Sequence, residues 1–208
     1  MQSFLVSSKS IKIILSLHFI IWLSISVFID IHPDMADHWV WSRYLSLGYY
    51  EHPPMVAWNM RLVTEIGNLI GIPLILSLKI GAIAFSTLVL FLSYIVGKDF
   101  YNRRTALIFV LLLEGTIYFT LASPFWHIDQ FYMVAWLAGI WGLGKFIDTD
   151  NKTWIIFIGI VIGLGALSKY IMILFAISLV LWMIFCGSVR YLFKDPHIYL
   201  AGLISLLI

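Results

Sequence analysis

The chain has 208 residues, of which 62% are hydrophobic and 12% are charged, and its formal net charge at neutral pH is +2. Charged residues make up about 25% of an ordinary soluble domain, so this composition and a mean hydropathy of +0.97 exclude a soluble globular protein and predict an integral membrane protein. The small net charge and the scattered basic residues give no reason to expect nucleic acid as a partner.

Seven apolar segments predict membrane-spanning helices, since a span needs about 20 mostly apolar residues. In chain order they lie at 11–29, 72–97, 105–122, 131–147, 153–167, 170–187 and 197–208. The first follows Lys9 and Lys12 as in a signal peptide, but it lacks a small-residue cleavage site and is expected to remain as an anchor. The predicted fold class is an all-α polytopic membrane protein with about six to seven transmembrane helices.

The basic residues predict how these helices are oriented. Nine of the 13 lie in the N-terminal tail and in every second loop, at Lys9, Lys12, Lys98, Arg103, Arg104, Lys145, Lys152, Arg190 and Lys194. Because Lys and Arg concentrate in cytoplasmic loops, we expect the N-terminus and these loops in the cytoplasm, with the protein in the plasma (inner) membrane. The segment 30–71, the turn 123–130 and the break at Lys169 are then predicted to be external.

The external segment 30–71 concentrates polar residues. It holds five of the 11 acids and three of the six histidines, at Asp30, Asp34, Asp37, Glu51, Glu65, His32, His38 and His52. Pro33 is predicted to start a short helix, Gly48 to end it and Pro54 to open a second helix. The many Trp and Tyr side chains in this segment indicate helices that lie in the membrane interface.

The first of these short helices carries a candidate reaction centre. Asp34 and Asp37 are three residues apart, and Asp34 and His38 are four apart. Residues at these spacings lie on one side of a helix, so a single face can present two carboxylates and an imidazole.

Four ordered motifs resemble a known family. They read "HPDMADHWVWS" at 32–42, "GYYEHPPM" at 48–55, "SPFWHIDQ" at 123–130 and "LSKY" at 167–170. The chain resembles the polytopic glycosyltransferases with the GT-C fold that use a polyprenyl-phosphate sugar, the group of the protein O-mannosyltransferases and lipid A aminoarabinose transferases. The resemblance implies a GT-C bundle, a polyprenyl-phosphate sugar as donor and a lipid or protein acceptor. It also implies that residues 1–208 form one membrane domain and are the N-terminal portion of such an enzyme.

The resemblance also implies roles for individual residues. The acid that often follows the key aspartate is Met35 here, so Asp34 takes the first-acid role. Because a lipid phosphate is already a good leaving group, its displacement needs one base and no general acid, and we expect Asp34 to be that base. The remaining substrate-binding candidates are Asp37, Arg43, Glu51, His52, Asp129 and Lys169, with Arg61 as a further cation on the external side.

Two of these positions match residues with known partners in the relatives. His52 stands where many relatives have a lysine that contacts the lipid phosphate. Glu51 stands where some members have an acid that ligates a divalent metal, which makes such a metal a candidate cofactor.

The charged residues also allow interpretations other than a role in the reaction. Arg61 can pair with Glu65 across one helical turn. A lysine such as Lys169 costs about 2.5–3.5 kcal/mol at mid-membrane unless it reaches water or meets an anion. Glu114, near the middle of its predicted span, is expected to be protonated or hydrogen-bonded within the bundle. These charges keep a transporter or structural subunit open as the alternative function, beside an inactive, truncated relative.

Overall fold

The structure is a computed structural model that describes residues 8–208, with side chains from residue 9, and within that range it contains helices and no strand. The helices are α1 (Ser8–Ser26), α2 (Pro33–Arg43), α3 (Met55–Leu69), α4 (Leu74–Phe100), α5 (Arg103–Glu114), α6 (Ile117–Ala122), α7 (Ile128–Thr149), α8 (Thr153–Ala166), α9 (Ile173–Phe185) and α10 (Pro196–Leu207). Two 3-10 helices, Tyr170–Met172 and Gly187–Lys194, flank α9. The amino terminus itself, which was predicted to be cytoplasmic, lies outside the described residues.

Each of the seven predicted apolar segments is helical, so the all-α membrane class is confirmed. The third segment is divided between α5 and α6 at Gly115–Thr116, and the sixth begins with the 3-10 turn before α9. In the described residues, Lys9–Ser26 and Leu74–Phe100 are long and apolar enough to cross a bilayer, and a third span results if the pair Tyr170–Phe185 and Gly187–Lys194, bent by 112°, counts as one. Helices α8 and α10 are apolar but shorter, so the count of about six to seven spans stays a prediction.

The connections collect at two opposite ends of the bundle. At one end the Met55 N–H donates to the Leu167 carbonyl at 2.9 Å, which joins the start of α3 to the end of α8. The Ser168 hydroxyl donates to the Ile128 carbonyl at 2.6 Å and joins the same turn to the start of α7. We call this the loop end, because it carries segment 30–71. The other end carries the loops with the nine basic residues, and we call it the basic end.

The two short helices of segment 30–71 form as predicted, except for one boundary. Helix α3 begins directly after Pro54. Helix α2 ends at Arg43, so the prediction that Gly48 ends it is wrong. At this end the Trp41 carbonyl accepts from the Tyr44 N–H at 3.0 Å and from the Tyr49 hydroxyl at 2.9 Å.

Charged residues inside the bundle have partners from neighbouring helices. His18 of α1 places Nδ1 2.9 Å from a Glu114 carboxylate oxygen and Nε2 3.0 Å from the Ser86 hydroxyl of α4. The expectation that Glu114 is hydrogen-bonded within the bundle is confirmed. Sequence reasoning missed Lys79, which is 6% exposed and donates from Nζ to the Ser26 carbonyl and, at 2.5 Å, to that of Ile29. It thereby adds a donor to carbonyls at the end of α1, where the Ser26 carbonyl also accepts from the Ile29 N–H at 3.2 Å.

Close packing of α8 against α10 generates a test of the fold. A Cβ added at Gly159 would lie 2.5 Å from the Ala201 backbone oxygen, whereas one added at Gly202 meets nothing within 4 Å. Gly159→Ala should therefore destabilise the protein by about 1–3 kcal/mol through overpacking. The matched control Gly202→Ala should be neutral or stabilise it by up to about 1 kcal/mol, because alanine favours a helix. Thermal unfolding in detergent measures both, and equal shifts in the two variants would contradict this packing.

Candidate active site at the loop end

Helix α2 presents Asp34 to solvent at its first turn. Pro33 occupies the start of the helix and the His32 imidazole accepts a hydrogen bond from the Asp34 N–H at 3.3 Å. The Asp34 side chain is 72% exposed, while the adjacent Met35 is fully buried against α3 and α4. An anion in the first turn of a helix is stabilised by the helix dipole, so Asp34 is an accessible carboxylate at a favourable position.

The His38 side chain is buried, on the same side of α2 as Asp34 and Asp37. Its ring centroid lies 4.8 Å from that of Trp41 and 6.0 Å from that of His52, and its Nδ1 has no hydrogen-bond partner among the described residues. Burial lowers the pKa of His38 from its usual 6.5 to about 4; the His52 charge adds to the lowering, and the Asp34 and Asp37 carboxylates oppose it. His38 is therefore a neutral imidazole at neutral pH.

His52 is held against His38 by the loop that follows α2. The His52 carbonyl accepts from the Tyr49 N–H at 3.0 Å, and Tyr49 stacks on Trp41 with the ring centroids 5.0 Å apart. The Trp58 indole N–H donates to the Ser46 carbonyl at 3.0 Å and fixes the same loop to α3. These contacts orient the His52 ring toward His38.

Glu51 directly precedes His52 in this loop. It is exposed, and across residues 8–208 no group of three or more His, Cys, Asp or Glu side chains comes together as a metal site would require. The described residues around Glu51 therefore do not fit a divalent metal, and no chemical step is assigned to one.

Asp129 and Lys169 form an ion pair at the loop end. The Lys169 ammonium donates to the Asp129 carboxylate at 2.6 Å, and the side chains are 36% and 27% exposed, respectively. Asp129 belongs to the first turn of α7, while Lys169 lies between α8 and the 3-10 turn. Lys169 is therefore paired with an anion, which is one of the two ways in which a lysine can avoid the cost of a charge within the membrane.

His127 directly precedes α7 and lies within electrostatic range of the ion pair. Burial lowers the pKa of His127; the Asp129 carboxylate opposes this change and the Lys169 charge reinforces it. The His127 charge in turn contributes to lowering the pKa of His38. Its Nδ1, like that of His38, is buried without a hydrogen-bond partner in the described part of the chain.

The structure therefore brings together most of the predicted site residues. The charges of Asp34, Asp37 and His52 act on His38, and those of Asp129 and Lys169 act on His127. Arg43 lies elsewhere, with its guanidinium 5.4 Å from the Trp39 ring centroid. Arg61 pairs with Glu65 at 2.8 Å, which confirms that reading.

The sequence did not identify two polar residues near this site whose side chains have buried atoms. His127 belongs to the "SPFWHIDQ" motif, which was the available signal, but a histidine in an external turn is ordinary. Gln130 donates to the Ala82 carbonyl at 3.1 Å and leaves its Oε1 buried without a partner within the described residues. No sequence signal identified Gln130, because its burial depends on how α7 packs against α4.

Comparison with known proteins identifies the family. The family model for dolichyl-phosphate-mannose-protein mannosyltransferase matches residues 51–208, so the chain belongs to this glycosyltransferase family and the resemblance inferred from the motifs is confirmed. The matched range includes Glu51, His52, Asp129 and Lys169, and it begins after Asp34.

One curated relative shares a shorter segment. It is the lipid A galacturonosyltransferase RgtD of Rhizobium johnstonii (strain DSM 114642 / LMG 32736 / 3841), 49% identical over 39 residues. That segment is 19% of this chain and spans only 8% of the relative's length. No solved structure matches the chain at a significant level.

The buried imidazole predicts a pH dependence of stability. Because the folded-state pKa of His38, about 4, lies below its usual 6.5, the unfolded chain binds more protons between these values. The free energy of unfolding should therefore fall as pH decreases from about 6.5 to about 4, with His38 contributing up to about 3 kcal/mol.

His38→Gln should remove this contribution and flatten the fall. The matched control is Val40→Gln on the exposed side of α2, which should keep the wild-type slope. Thermal unfolding of each variant across this pH range is the measurement. A wild-type slope in His38→Gln would show that His38 is not buried as a neutral group.

Proposed function

We propose that this chain carries the catalytic base and part of the donor site of a glycosyltransferase that moves a sugar from a polyprenyl-phosphate donor to an acceptor hydroxyl. The observation that carries the proposal is the placement of an accessible carboxylate, Asp34, at the same end of the bundle as the Asp129–Lys169 ion pair. The same end carries His38 and His127, each with a buried ring nitrogen that has no partner within the described residues.

The reaction needs one proton transfer and one displacement. An Asp34 carboxylate oxygen takes the proton of the acceptor hydroxyl, and the acceptor oxygen attacks the anomeric carbon. The bond from that carbon to the phosphate oxygen breaks, and the polyprenyl phosphate leaves with the electron pair. A single in-line attack inverts the anomeric configuration, and no acid is needed because the leaving group is already an anion.

In this proposal Lys169 and His52 stabilise the phosphate charge. An ammonium has three N–H donors, so Lys169 can hold Asp129 with one and reach a phosphate oxygen with another. His52 lies beside His38 and offers a second contact.

The orientation and the acceptor follow from the same proposal. The basic end is cytoplasmic under the positive-inside rule, which puts the loop end and Asp34 on the external face of the plasma (inner) membrane. The family description names a protein acceptor and the relative's name a lipid A acceptor. Both classes can present a hydroxyl, which is the group that the Asp34 chemistry requires. Glu114 is hydrogen-bonded to His18. Its position in an apolar helix is therefore explained without a transport pathway.

Removing the base gives the first functional test. Asp34→Asn keeps the size of the side chain but cannot take a proton, so sugar transfer should fall by about 10²–10⁴-fold. The measurement is transfer from a polyprenyl-phosphate sugar in membranes that contain the protein. Asp30→Asn, an exposed acid of the same segment, is the matched control and should retain activity. Wild-type transfer by Asp34→Asn, with normal insertion, would refute the role of Asp34.

The ion pair gives a second test. Lys169→Gln should raise KM for the donor by about tenfold or more, because a charged hydrogen bond to phosphate is lost. Lys152 forms a similar ion pair with Asp150 at 2.6 Å at the basic end, so Lys152→Gln is the matched control and should leave KM unchanged. An equal effect of both variants would mean that Lys169 stabilises the fold without contacting the donor.

A further inference from the structure

A polar recess lies at the loop end, on the other side of α2 from Asp34. It has a volume of about 350 Å³ and is lined by Trp39, Arg43, Arg61, Thr64, Glu65, Asn68, Ile72 and Leu74. Arg43 follows Asp34 by nine residues, which is two and a half helical turns and about 13 Å along the axis. A phosphate in this recess is therefore too far from Asp34 to belong to a donor under attack there.

The recess is built from two helix faces. On α3 the residues Arg61, Thr64, Glu65 and Asn68 follow the spacing i, i+3, i+4, i+7, which puts them on one stripe. On α2 the facing wall is Trp39 with the Arg43 guanidinium over its ring. The two arginines thus lie on opposite walls of one pocket.

One positive charge of the recess, that of Arg43, has no acidic partner within the described residues. Glu65 accepts a hydrogen bond from Arg61 at 2.8 Å, and these two charges compensate each other. No carboxylate forms an ion pair with Arg43 anywhere in residues 9–208. A guanidinium that stacks on an aromatic ring keeps its N–H groups free, and its planar fork matches the oxygens of a phosphate.

An apolar surface continues directly from the recess. On α3, the side chains Leu62, Ile66 and Leu69 are 58%, 49% and 83% exposed, and at the start of α4 Leu74 and Ile75 are 43% and 50% exposed. Exposed aliphatic residues at the end of a membrane bundle face acyl chains. A polar pocket with an uncompensated arginine that opens beside them suits an amphiphile with an anionic head.

We propose that this recess binds the phosphate headgroup of an anionic membrane lipid, with Arg43 as the main contact and Arg61 as the second. Its acyl chains lie along the exposed side chains of α3 and α4. This binding site is distinct from the proposed donor site and does not depend on the glycosyltransferase reaction.

Lipid titration followed by native mass spectrometry tests this proposal. The purified protein in detergent is titrated with phosphatidylglycerol and, separately, with a galactosyl diacylglycerol that carries no phosphate. The wild-type protein should bind the first phosphatidylglycerol more tightly than the galactolipid. Arg43→Gln should weaken that binding by about fivefold, since an arginine beside an anionic lipid contributes about 1 kcal/mol, and the Arg43→Gln, Arg61→Gln double variant should weaken it further.

The controls separate this site from general attraction to negative charge. Arg104→Gln changes an exposed arginine at the basic end and should leave the affinity unchanged. Arg43→Lys keeps the charge but loses the planar fork, so it should weaken binding less than Arg43→Gln and provides a second variant if the latter folds poorly. Wild-type affinity in a folded Arg43→Gln protein, or an equal loss in Arg104→Gln, would overturn the proposal. Displacement of the lipid by excess inorganic phosphate would overturn the lipid as the occupant and indicate a site for free phosphate.

Discussion

The structure depends on one constraint, which is that a polar group inside a membrane bundle must find its partner within the protein. Lys79 meets it by donating to carbonyls at the end of α1, and Glu114 meets it through His18, which also reaches Ser86. Each of these contacts joins different helices, so the same bonds that satisfy the polar groups also set how α1, α4 and α5 pack. Polar atoms left without partners are the exception in such a bundle.

The loop end is where those exceptions gather. His38 and His127 each leave a ring nitrogen unpaired in the described chain, yet the surrounding backbone is held firmly by the Met55 and Ser168 hydrogen bonds. A rigid frame with unsatisfied groups inside it is preorganised, since the cost of orienting those groups is met during folding. Glycosyl transfer to an anionic leaving group needs such positioning more than it needs additional acids or bases.

The two sides of α2 carry different polar residues. One side carries Asp34, Asp37 and His38 toward the ion pair of α7, and the other carries Trp39 and Arg43 toward α3. Because consecutive residues on a helix are rotated by about 100°, an 11-residue helix can serve two different ligands. Under the two proposals, the polar residues of segment 30–71 serve two separate sites.

The sequence by itself determined the membrane class, the seven helical segments, the family and the pairing of Arg61 with Glu65, because apolar run length and spacing along one helix are local properties. Only the tertiary structure decided that Lys169 meets Asp129, that Glu114 meets His18, and that Arg43 lies away from Asp34. It also decided that α2 ends at Arg43 rather than at Gly48. These features join residues that are distant in the sequence or lie on opposite sides of one helix, and their partners are set by how helices pack.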